Sequence, residues 1–176
     1  MHTIKATDYI LKRIEKLGVK HVFGVTGGAI ANQIDAFSRS KIKFITCQHE
    51  QAAAMAADAY SKINGYGVVM VTSGPGGTNT TTGIASSYFD SVPLLVITGQ
   101  VSTFDLKKNN VRQRGFQEID ICAIMEPLTK FSEMVTKAED LPEILEQAIQ
   151  ISLDRRKGPV HIDLPMDVQQ GEICLK

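Results

Sequence analysis

The run Val92-Pro93-Leu94-Leu95-Val96-Ile97-Thr98 constrains the fold of this chain most, because it is apolar almost without a break. A strand with one wet face alternates apolar and polar residues, so an unbroken run suits a parallel strand covered by helices on both sides. Residues 68–72 repeat the pattern, and parallel strands require helical crossovers between them. The rest of the chain supplies these. An apolar stripe of Ile10, Leu11, Ile14 and Leu17 marks a first helix, with Thr7 placed to cap it and Gly18 to end it. A strand over 19–25, a break at Thr26-Gly27-Gly28, a helix through Ile30, Ile34 and Phe37, and a strand over 42–47 complete a β-α-β unit.

A third helix starts near Glu50, carries Ala52, Ala53, Ala54, Ala56, Ala57 and Ala59, and ends around Gly65. That many alanines imply close packing against another backbone. The loop Ser73-Gly74-Pro75-Gly76-Gly77 leads into a polar helix reaching about Ser87, and 99–117 is a long polar loop with Lys107, Lys108, Arg112 and Arg114. Asp140-Leu141-Pro142-Glu143 has the spacing of a capping box for a helix through Leu145, Ala148, Ile149 and Ser152, and 160–164 reads as the final strand. The expected class is α/β, a mainly parallel sheet with helices on both faces, in which ligands sit beyond the carboxyl ends of the strands. The loops at Thr26, His49-Glu50, Ser73 and Gly99 all fall at that edge.

A length of 176 residues fits one domain able to bury roughly two thirds of its unfolded surface. A net charge of zero offers no field for nucleic acid, and no run of about 18 apolar residues is present to cross a membrane. Cys47, Cys122 and Cys174 show neither disulfide nor zinc spacing, which fits a reducing, cytoplasmic compartment.

Ser73-Gly74-Pro75-Gly76-Gly77-Thr78-Asn79 has two readings, a phosphate cradle at a helix start or a tight strand-to-helix turn. The P-loop Lys-Ser/Thr pair is missing, and a dinucleotide fingerprint would need glycine at Asn79, so nucleotide binding is the weakest function considered. His49-Glu50 is no zinc motif because position 53 is Ala, and His2, His21 and His161 lack ligand spacing. Glu50 reads either as a solvated first-turn glutamate or as a functional acid beside a small apolar face.

Seven segments occur in one order: Val22-Phe23-Gly24-Val25-Thr26-Gly27-Gly28-Ala29-Ile30, Gln48-His49-Glu50-Gln51-Ala52-Ala53-Ala54, Thr72-Ser73-Gly74-Pro75-Gly76-Gly77-Thr78-Asn79, Asp90-Ser91-Val92-Pro93, Ile97-Thr98-Gly99-Gln100-Val101, Gly115-Phe116-Gln117-Glu118 and Gly158-Pro159-Val160. Together they resemble the N-terminal pyrimidine-binding domain of thiamin diphosphate enzymes of the acetolactate synthase type. The resemblance implies that Glu50 hydrogen-bonds N1′ of the cofactor's aminopyrimidine and so activates C2 for proton loss. It implies further that Gly74-Pro75-Gly76 and Asn79 pack beside the pyrimidine and that Thr26-Gly27-Gly28 lies near the reacting carbon. Phe116, Gln117 and Gln100 would line the substrate approach, with core packing an equal alternative for Phe116.

The diphosphate-side Gly-Asp-Gly and Asn motif is missing from this sequence. The resemblance therefore implies that Mg²⁺ and the diphosphate are held by the diphosphate-binding domain of a second subunit, in a homodimer or homotetramer. The chain is then one domain, 1–176, of a larger enzyme whose middle and diphosphate-binding domains lie elsewhere, and it is inactive alone; FAD binding is left open. Thr26 stands where acetolactate synthases usually have Pro, and Met166 where they commonly have Lys. Arg112 and Arg114 either grip an anionic acceptor or form a solvated loop face. The expected activity is that of a transferase or lyase, a 2-oxo acid decarboxylase or carboligase with pyruvate as the default donor. The alternative is a non-catalytic binding or regulatory module that kept the fold.

Overall fold

The computed structural model describes residues 2–108 and 111–175. Its strands are β1 (His2–Lys5), β2 (His21–Val25), β3 (Lys43–Thr46), β4 (Gly67–Val71), β5 (Leu94–Gln100), β6 (Ser132–Met134), β7 (Pro159–Pro165) and β8 (Glu172–Leu175). The helices are α1 (Ala6–Glu15), α2 (Ala31–Ala36), α3 (Glu50–Asn64), α4 (Pro75–Thr78), α5 (Thr81–Phe89), α6 (Ile121–Met125), α7 (Leu141–Leu153) and α8 (Met166–Gln170). Six strands form one parallel sheet in the order β3-β2-β4-β5-β7-β6, and β1 pairs antiparallel with β8.

Why the central strands read as unbroken apolar runs is plain from their two faces. Val68 and Met70 of β4 and Leu95 and Ile97 of β5 meet Ile10, Ile14, Leu145 and Ile149 on one side. Val69, Val71, Leu94 and Val96 meet Ala53, Ala54, Ala57, Ile84, Ile121 and Met125 on the other. Both faces are dry, so the polar half of the strand period is lost.

The alanine run of α3 does what its composition implies. At Gly83 of α5 an added Cβ would lie 2.6 Å from the Ala54 Cβ, so only small residues let these two helices approach. Gly65 ends α3 at φ +92°, a conformation glycine adopts freely, with its N–H donating to the Ser61 carbonyl at 2.8 Å.

Local signals err in three places. Thr7 is buried inside α1, which starts at Ala6 from an extended Lys5 and has no side-chain cap. The capping box at Asp140 does not form: a short 3-10 turn, Ala138–Asp140, leads straight into α7, so Asp140 already has helical backbone angles and makes no cap. The strand read as final, β7, is followed by α8 and β8.

Candidate functional site

From β2 the chain goes to β3 on one side and then crosses back, through α3, to β4 on the other. This is a topological switch point, and the crevice outside the carboxyl ends of β2 and β4 is where an open parallel sheet takes its ligand. Three segments converge there: Thr26–Gly28 after β2, Glu50 at the start of α3, and Thr72–Asn79 after β4.

Glu50 is the first residue of α3. His49 caps the helix with extended backbone, its Nδ1 accepting from the Gln51 N–H at 3.1 Å. The Glu50 carboxyl is buried, at 9% exposure, and its Oε2 accepts from Asn79 Nδ2 at 2.9 Å. The remaining oxygen, Oε1, faces the backbone of Gly76, where an added Cβ would come within 3.9 Å. A hydrogen bond that fixes one oxygen leaves the other oriented for a ligand. Asn79 thus sits in the site by positioning Glu50, a contact between residues twenty-nine apart that sequence spacing does not reveal.

Three of the glycines let the loops pack closely. A Cβ at Gly27 would lie 2.5 Å from Thr72 Cβ, and one at Gly76 would lie 2.7 Å from Thr72 Cγ2. Thr72, which sequence reasoning passed over as a strand end, is the post against which both turns close. Gly74 has φ +57° and ψ −117°, and its added Cβ would lie 2.6 Å from the Gln117 carbonyl oxygen. Among the described residues nothing lies within 4 Å of a Cβ added at Gly28, so there a side chain would enter open space.

Gln117 therefore abuts the turn beside Glu50, while Phe116 stands out at 81% exposure. Core packing is not the role of Phe116 in this structure. Arg114 donates from Nη1 to the Phe104 carbonyl at 2.9 Å, which ties the loop internally, and Arg112 is exposed.

Gln100, the last residue of β5, is buried, at 1% exposure. Its Nε2 donates to Asp163 Oδ2 at 2.9 Å and to the Ile119 carbonyl at 3.0 Å, and its Oε1 accepts from the Val101 N–H at 3.0 Å. With the whole amide engaged, Gln100 ties the end of β5 to Asp163 and to the backbone at Ile119. It belongs to a buried chain, Ser132–His161–Thr98–Asp163, linked at 2.8, 2.8 and 2.6 Å. Burial pushes the Asp163 carboxyl up to about 7 despite the hydrogen bonds from Thr98 and Gln100, and burial pushes His161 down to about 3.

At the opposite, amino-terminal edge of the sheet a hollow of about 510 Å³ is lined by Glu15, Gly18, Val19, His21, Lys41 and Lys43. It contains none of the converging groups. Among the described residues no helix is long and apolar enough to cross a membrane.

Residues 4–124 match the family model described as thiamine pyrophosphate enzyme, N-terminal TPP binding domain. The chain belongs to this family. The probable acetolactate synthase large subunit of Methanocaldococcus jannaschii is 45% identical to it over 174 residues, covering 98% of this chain and 29% of the relative. The acetolactate synthase large subunit of Lactococcus lactis is 43% identical over 169 residues, 95% of this chain and 28% of the relative. Acetolactate synthase isozyme 3 large subunit of Escherichia coli is 40% identical over 170 residues, with 96% and 29% covered. This N-terminal TPP-binding domain thus spans less than a third of the length of these relatives. The six-stranded parallel sheet described above is its framework.

Proposed function

We propose that this domain is the pyrimidine side of a thiamin diphosphate site in a 2-oxo acid decarboxylase or carboligase, with Glu50 as the activating acid. The observation that carries the reading is the carboxyl group itself: buried at the switch point, with Oε2 held by Asn79 and Oε1 turned to the Gly76 turn. A carboxyl with one oriented oxygen fits a heteroaromatic ring nitrogen, which is what an aminopyrimidine presents. Thiamin diphosphate, when bound, supplies the electron sink for chemistry at the carbonyl carbon.

The chain's own residues then divide the work. Glu50 Oε1 holds a proton toward the ring nitrogen, and Asn79 keeps the carboxyl from rotating away. Ala53 and Ala54, both fully buried behind Glu50, keep water off that side. Thr26 and Gly28 border the crevice from β2, and Phe116 and Gln117 border it from the long loop.

The diphosphate and its Mg²⁺ fall to the diphosphate-binding domain of a second subunit in a homodimer or homotetramer, of cytoplasmic location. The face that would receive that domain is the outer side of α3 and α5. Ala52, Met55, Ala59 and Ile63 stand exposed along α3, Ile63 at 84%, beside Tyr88 and Phe89 at the end of α5. An apolar stripe of this kind on a helix that begins with Glu50 supports the reading of this face as the one that receives the partner domain.

The test is turnover of a panel of 2-oxo acids, pyruvate first, by the protein that contains this domain together with its diphosphate-binding partner. Thiamin- and Mg²⁺-dependent release of CO₂ is the expected result. No turnover, combined with no thiamin diphosphate binding by the assembled protein, would instead favour a non-catalytic module.

A further inference from the structure

We propose that Glu118 is a positioning residue, whose carboxylate grips the long loop so that Gln117 is held against Gly74 and Phe116 is presented beside the Glu50 crevice. Three linked features of Glu118 and its neighbour Gln117 support this. First, Glu118 is buried, and its two oxygens accept three backbone N–H groups: Oε1 from Lys107 at 2.5 Å, and Oε2 from Arg114 at 2.7 Å and Gly115 at 3.1 Å. These amides come from both sides of the loop, so one carboxylate closes it. The amide nest holds the carboxyl below its ordinary range against the opposing effect of burial, so the clamp is charged at neutral pH.

Second, Gln117, the residue before Glu118, has φ +57°. A non-glycine residue keeps that left-handed conformation only where its surroundings over-determine it. Third, Gln117 uses that conformation to press its carbonyl onto Gly74, whose own φ of +57° leaves no room for a side chain. Glu118 touches neither Glu50 nor the crevice, so its influence on chemistry runs through the loop. The far end of the loop is anchored separately, by Asp167 accepting from the Thr103 N–H at 3.0 Å and from its hydroxyl.

The clamp itself is independent of the cofactor reading, while its effect on substrate rests on that reading, and two measurements separate them. In this chain, Glu118→Ala is expected to speed tryptic cleavage at Lys107, Lys108, Arg112 and Arg114 on the order of tenfold, because cleavage follows the open population when opening is fast. The thermal midpoint should shift by less than about 4 °C. Unchanged cleavage overturns the proposal, as does a rise matched by unfolding of the whole domain. Glu118→Gln keeps the shape and one acceptor oxygen, and it covers the case in which the alanine variant does not fold. There the amide protons of Lys107, Arg114 and Gly115 should exchange roughly tenfold faster, and unchanged exchange again overturns the clamp.

In the assembled enzyme, Glu118→Gln should raise KM for the 2-oxo acid about tenfold while cofactor C2-proton exchange stays within about twofold of wild type, because Glu50 and Asn79 are untouched. Equal loss of both would overturn the positioning role. Absence of C2 exchange in the wild-type enzyme would overturn the thiamin reading and leave the clamp standing on the proteolysis result.

Discussion

Replacing Gly74 by Ala should destabilise the domain by several kcal/mol, and the structure says why. At φ +57° and ψ −117° the residue lies outside the wells open to residues with a Cβ. Strain of this kind costs about 1–3 kcal/mol. The new carbon would lie 2.6 Å from the Gln117 carbonyl oxygen and 2.9 Å from the Gln117 Cβ, so the 115–118 turn must lift or the β4–α4 turn must shift. Overpacking adds about 1–3 kcal/mol. Loss of glycine's freedom in the unfolded chain offsets about 0.4–1 kcal/mol of this. The expected net loss is therefore about 1–5.5 kcal/mol, large against a domain stability of roughly 5–15 kcal/mol. Urea unfolding followed by circular dichroism measures it, since a lower midpoint at unchanged slope is a loss of stability. Gly28→Ala is the matched control: among the described residues nothing lies within 4 Å and its φ is not in the left-handed region, so its change should stay within about 0.5 kcal/mol. Equal stability of the two variants, with the Gln117 amide equally protected in both, would refute the reasoning about how these turns interlock.

Two further predictions concern groups away from the crevice. Asp163 keeps its proton in the folded state up to about 7, whereas the unfolded carboxyl loses it near about 4; its stabilising contribution is full below about 4 and is lost as pH rises through about 7. His161 refuses a proton down to about 3, whereas the unfolded imidazole takes one near about 6.5; its contribution is full above about 6.5 and is lost as pH falls. Between about pH 4 and 6.5 the two slopes oppose each other, so each single variant should unmask the other. Asp163→Asn should lose stability as pH falls and His161→Gln as pH rises, each by up to about 1.4 kcal/mol per pH unit, read from urea midpoints at several pH values. Slopes of the same sign in both variants would contradict this pairing. On the outer face of α3, Met55→Glu with Ile63→Glu should weaken association with the diphosphate-binding partner at least about tenfold in analytical ultracentrifugation, with the domain's own stability nearly unchanged because both side chains are exposed.

The sheet was legible in the sequence because burial on both faces removes the polar half of the strand period, as in β4 and β5. The boundaries of α3 were legible because an alanine run sits between an acid at the first turn and a glycine that takes positive φ at Gly65. What escaped was set at long range. β1 and β8 are four-residue strands that find each other across the whole chain, and neither has a local signature. α6 and β6 are five and three residues long and too short to show a period. Glu50 stood out by its place in an ordered set of motifs, yet its partner Asn79, the Thr72 post and the Glu118 clamp depend on which loops the topology brings together. The Thr98–Asp163–His161 chain stayed hidden inside segments that read as plain core strand, and Gln100, read as part of the 99–117 loop, is the last residue of β5.

Glu50 is proposed to activate a cofactor bound at this switch point. This is tested most directly by the rate at which thiamin diphosphate exchanges its C2 proton with D₂O in the assembled enzyme, wild type against Glu50→Gln. A glutamine keeps the size and the contact with Asn79 but has no carboxyl proton to hold toward a ring nitrogen. Loss of about a hundredfold or more in exchange, with cofactor still bound, is the predicted result. Exchange at the wild-type rate in the variant would show that Glu50 is not the activating acid.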